Sequence, residues 1–94
     1  METKGKPLRP GQVFANKEDL ALYFGCCWRT VRRDETIMRK LIPMGIYSKN
    51  RDFSGKNIRI EAMQHFRNNE NKLTTALATG NFRHIEPFVV SGRL

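Results

Sequence analysis

Residues 19–33 read DLALYFGCCWRTVRR, and this stretch decides the fold. Leu20, Ala21 and Phe24, with Tyr23 beside them, recur at helical spacing. Gly25 follows directly and supplies the left-handed backbone that ends a helix. Upstream, Asn16 is a good N-cap, because its side-chain oxygen can accept from a first-turn N–H, and Asp19 places a carboxylate where the helix dipole favours one. A first helix is therefore expected over residues 17–24. A second starts at Cys27 or Trp28 and reaches at least Arg33, with Val31 pointing inward. Two helices joined by so short a turn cross steeply, which requires a small residue inside the first, a glycine at the turn and a branched apolar residue inside the second. Ala21, Gly25 and Val31 occupy those three places.

Beyond Arg33, the apolar residues Ile37, Met38, Leu41 and Ile42 continue a buried pattern, while Asp34 followed by Glu35 reads as a break with Asp34 capping a further turn. Pro43 and Gly45 stop the helical stretch, so residues 46–48 are expected to form a short strand. Ile58, Arg59 and Ile60 alternate in, out, in as a second strand does, which makes the polar segment 48–57, with Gly55, the loop of a β-hairpin. From Glu61 a helix carries Met63, Phe66, Leu73 and Leu77 on one face, weakened in the middle by Asn68, Asn69 and Asn71 and ended by Gly80. The expected fold is α+β. Residues 1–12, with Pro7, Pro10, Gly5 and Gly11, read as a flexible basic arm, residues 13–79 as the folded domain, and residues 80–94 as a C-terminal tail or edge strand around Phe88, Val89 and Val90.

A chain of 94 residues holds one compact core at most. No apolar run approaches the length that spans a bilayer, and the basic stretch at Lys4, Lys6 and Arg9 is not followed by the apolar region of a secretory signal, so no membrane association and a cytoplasmic location are expected. Cys26 and Cys27 are adjacent, which is neither a disulfide framework nor a zinc spacing. His65 and His84 are isolated, and no glycine-rich phosphate loop is present. These residues point to a protein that is not an enzyme and uses neither metal nor cofactor.

Charge is the strongest global feature. Seventeen Lys and Arg against nine Asp and Glu give a net charge of +8. Residues 28–60 alone hold nine basic and three acidic side chains, a local +6. Such an excess suits a polyanion, because each Lys or Arg that neutralises a phosphate releases condensed counterions. With Val31 inward and about 100° per residue, Arg29, Arg33, Thr36 and Lys40 project to the opposite side, flanked by Arg32 and Trp28. Arginine's planar fork fits guanine O6 and N7 or a phosphate, which makes this face a candidate for double-stranded DNA. Lys49, Arg51, Lys56 and Arg59 make the hairpin basic as well. Trp28 suits either a contact near the helix start or packing on the first helix or the hairpin.

The segment 19–33, above all its RTVRR run, together with the hairpin that ends in NIRIEAMQHF, resembles the winged helix-turn-helix of phage and mobile-element excisionases (recombination directionality factors) and the related MerR and AlpA-like DNA-binding domains. The resemblance covers residues 13–66. It implies a recognition helix in the major groove, carried here by Trp28, Arg29, Arg32 and Arg33, and a wing on the adjacent minor groove or backbone, carried by Lys49, Arg51, Lys56 and Arg59. It further implies an architectural role near recombination sites, where copies bind cooperatively beside an integrase. The length after the winged core leads us to expect monomers in solution and several copies on directly repeated sites, with 88–90 as a contact for a neighbour or the integrase. A small transcriptional regulator on the same fold, and an interaction module of a phage assembly, are the other readings.

Overall fold

The computed structural model describes residues 11–90; most of the expected basic arm over 1–12 and the last residues of the expected tail lie outside them. The elements run β1 (Phe14–Ala15), α1 (Lys17–Phe24), α2 (Trp28–Lys40), α3 (Lys49–Asp52), β2 (Phe53–Ser54), β3 (Asn57–Arg59), α4 (Ile60–Asn68) and α5 (Glu70–Thr79). The class is α+β: helices over a three-stranded antiparallel sheet of order β1-β3-β2.

The helix pair forms for the reasons its sequence offers. The Asn16 side chain accepts from the Asp19 N–H at 2.8 Å, capping α1. At the other end Gly25 is left-handed (φ 69°), and the Gly25 and Cys26 N–H groups return to the Leu22 and Ala21 carbonyls at 3.3 and 2.9 Å. That double closure turns the chain directly into α2. Ala21 and Val31 are both buried, as the close approach of the two helices requires. Leu20, Met38, Leu41, Ile58, Met63, Phe66 and Leu73 complete a core to which helices and sheet both contribute.

Four expectations need correction. α2 runs unbroken for 13 residues. Asp34 does not cap a new turn but sits inside the helix, fully buried and bonded to Arg33 and Arg67. Residues 46–48 are not a strand. Ser48 instead donates its N–H to the Asp52 carboxylate at 2.9 Å while the Asp52 N–H donates to the Ser48 carbonyl at 2.9 Å, and this local closure winds residues 49–52 into α3. The hairpin is consequently shorter than expected: β2 pairs with β3 in the register Phe53↔Ile58 and Ser54↔Asn57, leaving only Gly55 and Lys56 as its loop. Gly55, at φ 60°, takes the positive φ that two-residue hairpin loops demand at this position. The expected last helix is two, parted at Asn69, whose side chain donates to the His65 carbonyl at 2.9 Å. β1 is an addition: it pairs with β3 through Phe14↔Arg59 and Ala15↔Ile58.

The segment after α5 is not a loose tail up to Phe88. Phe82 and Ile85 pack against the core, and Phe88 enters it, its N–H donating to the Ile46 carbonyl at 3.0 Å. Phe88 is therefore unavailable as a partner contact, whereas Val89 and Val90 are exposed.

Candidate nucleic-acid interface

α2 carries nine polar or charged side chains among its 13 residues, and the structure sorts them by what they touch. Its inner side is Val31, Met38 and Asp34, all fully buried. A buried carboxylate is tolerable only when paired, and Asp34 accepts from Arg67 of α4 at 3.0 Å and from Arg33 at 3.1 Å. Burial still pushes its carboxyl above the usual carboxylate range, with the Arg33 guanidinium pulling it back. The other acidic residue of the helix, Glu35, is taken by Lys17 of α1 at 3.1 Å and by Arg39 one turn on at 3.0 Å. Both negative charges of α2 are thus neutralised at its packed side.

What remains on the outer side is positive. Arg29, Arg32, Thr36 and Lys40 are exposed, and among the described residues Arg29, Arg32 and Lys40 have no carboxylate partner. Thr36 donates its hydroxyl to the Arg32 carbonyl at 3.1 Å, leaving the oxygen as an acceptor. Trp28 opens the helix with 41 % of its surface exposed and is not part of the core; the Arg32 guanidinium lies 5.3 Å from its ring centre. Arg33 stands apart from the others. One nitrogen, Nη2, donates to Asp34 at 3.1 Å and to Glu70 at the start of α5 at 2.8 Å, so part of its fork is already engaged.

Two neighbours frame this face. On one side Arg39 stacks on Phe53 of β2 at 4.3 Å, which ties the C-terminal half of α2 to the hairpin. On the other, the Arg33–Glu70 bridge ties its N-terminal half to α5.

The basic residues expected on the hairpin divide. Lys56 is at its loop and Lys49 on α3; both are exposed and neither has a carboxylate partner among the described residues. Arg51 and Arg59 are not on a tip. Arg51 grips Asp52 with two nitrogens at 2.9 and 2.8 Å and stacks on Phe88 at 5.0 Å. Arg59 donates to the Arg51 carbonyl at 2.9 Å, reaches Asp52 at 3.5 Å and covers Phe14 at 5.0 Å. Asp52 is fully buried, and its charge holds both arginines at the base of the hairpin. They neutralise a carboxylate rather than offer free cations.

Lys17, Glu70 and Arg67, none of them among the residues expected at this site, set the state of the face from three other elements; no local pattern marks ion pairs whose partners lie so far apart in the chain. The cysteines also differ. Cys27 is exposed at the N-terminus of α2, and its thiol, 3.3 Å from the Thr30 hydroxyl, is lowered from its ordinary pKa by that hydrogen bond. Burial pushes Cys26 up. No cluster of three or more metal-ligating side chains exists among the described residues, and no helix there is long and apolar enough to cross a membrane. Comparison with protein-family models, curated proteins and solved structures finds no match to this chain.

Proposed function

We propose that this protein binds double-stranded DNA through α2, as a winged helix-turn-helix in which α1 and α2 are the helix pair and β2–β3 the wing. The single observation that carries the reading is the sorting of charge on α2: its carboxylates are paired on the packed side, and Arg29, Arg32 and Lys40 are left exposed without carboxylate partners among the described residues. An α-helix fits the major groove of B-DNA, where arginine forks recognise guanine and lysines reach phosphate. Lys56 and Lys49 supply sequence-independent contacts to the backbone beside that groove.

The resemblance to excisionases gives this binding a role. The protein acts as an architectural factor that occupies sites near a recombination junction in several copies and assists an integrase. The exposed Val89 and Val90 remain for a neighbour or the integrase; Phe88 is withdrawn into the core.

Selection of binding duplexes from a random pool, followed by footprinting, tests both parts. The proposal expects an enriched sequence, protection in the major groove, and repeated sites in one orientation. A single palindromic site bound by a tight dimer, with no effect on excision in a recombination assay, would replace the excisionase role with that of a transcriptional regulator. Absence of any enriched duplex would remove DNA recognition altogether.

A further inference from the structure

Trp28 is the chain's only tryptophan, and it stands in an unusual place. Tryptophan is on average a highly buried residue. Trp28 instead leaves 41 % of its surface to solvent at the start of a cationic helix whose first turn has no acidic residue. It contributes nothing to the core cluster. The Arg32 guanidinium lies over its ring, 5.3 Å from the centre. This stacking covers part of the indole and, because Arg32 has no carboxylate partner among the described residues, holds a free fork beside it.

The indole N–H can donate to a phosphate oxygen, but phosphate offers the apolar surface of the ring no complement. The floor of the major groove presents hydrogen-bonding edges and one apolar group, the C5-methyl of thymine. We infer that Trp28 is a specificity-determining residue whose indole, braced by Arg32, takes the C5-methyl of a thymine, while the Arg32 fork reaches the adjacent base pair. This rests on the DNA-binding reading and goes beyond it, because it names the base and the atom recognised.

Uracil is thymine without that methyl group, so the test leaves the protein intact. A duplex selected by the parent protein from a random pool is prepared twice, once with thymine and once with uracil throughout, and binding is followed by fluorescence anisotropy of the labelled DNA. Removal of one recognised methyl should weaken the parent about fourfold. Trp28→Ala should bind the thymine duplex at least as weakly as the parent binds the uracil duplex, and should not distinguish the two. The indole emission of the parent should become shielded from acrylamide on the thymine duplex. Circular dichroism of Trp28→Ala should match the parent, as expected for a residue outside the core. Equal affinity of the parent for both duplexes, or thymine preference retained in Trp28→Ala, would overturn the inference while DNA binding stood. Failure of the parent to bind any selected duplex would overturn both, and the anisotropy of the parent alone tells these failures apart.

Discussion

The outer face of α2 and the base of the hairpin carry similar residues and use them in opposite ways. Each region has a fully buried aspartate, Asp34 in α2 and Asp52 at the end of α3. At the hairpin base Asp52 takes both nearby arginines, Arg51 and Arg59, so the local cations are committed to structure. In α2, Asp34 takes Arg67 from a distant helix and only part of Arg33 from its own. Arg29, Arg32 and Lys40 are spared. Counting basic residues therefore overstates both regions, by Arg51 and Arg59 at the hairpin and by Arg33 and Arg39 on α2, because what matters for an anionic partner is the charge left after internal carboxylates have been matched.

The largest expected effect lies in the structural pairs. Arg67→Met leaves Asp34 buried with a half-engaged Arg33, and removal of one partner from a buried ion pair costs about 3–5 kcal/mol. Urea unfolding should show a decrease of that order for Arg67→Met, whereas Arg29→Ala, at an exposed position, should stay within about 0.5 kcal/mol of the parent. A comparable decrease in Arg29→Ala would mean that the outer face is structural too.

Salt dependence separates the cations of the hairpin region. Removing a side chain that touches one phosphate should reduce the slope of log affinity against log salt by about one. Lys56→Ala and Lys49→Ala are each expected to do so. Arg59→Met is expected to leave the slope unchanged and to lower stability instead. A reduced slope in Arg59→Met would show that the Asp52 pairing opens on DNA.

How much of this was legible in the sequence depends on the range of the interaction responsible. The helix pair could be read because its signals are local: the Asn16 cap, the Gly25 termination and the inward Ala21 and Val31 all act within a few residues. Alternation over residues 58–60 and the polar, Gly55-containing segment 48–57 both suggested a longer hairpin. Its true length was hidden because the Ser48–Asp52 closure competes with strand pairing over four residues and resembles an ordinary polar loop. The partition of the candidate site was hidden more deeply. Whether Arg33, Arg51 or Arg59 is free depends on Glu70, on burial of Asp52 and on Phe88 and Phe14, neighbours that no spacing rule anticipates.

A smaller effect is expected from pH. His65 shares a hydrogen bond with the Tyr47 hydroxyl at 2.9 Å beside Phe88, and burial lowers its pKa from the ordinary histidine value. The folded state therefore prefers the neutral ring. Stability from this group is present above about pH 6.5 and is lost as pH falls from there through the lower folded value, because the unfolded chain then binds the extra proton. Thermal unfolding between about pH 7 and pH 5 should show this decline, and His65→Gln should flatten it. An unchanged decline in His65→Gln would assign it to other groups.

DNA binding is proposed to rest on the α2 cations Arg29, Arg32 and Lys40, which have no carboxylate partner among the described residues. It is tested most directly by the triple variant Arg29→Ala, Arg32→Ala, Lys40→Ala, measured against a duplex selected by the parent and against random duplex. With one base contact worth about 1–3 kcal/mol and two arginine contacts removed, the selected duplex should be bound at least about thirtyfold more weakly, with a smaller decrease on random duplex and an unfolding midpoint close to that of the parent. Parent-like affinity for the selected duplex in a folded triple variant would contradict the account.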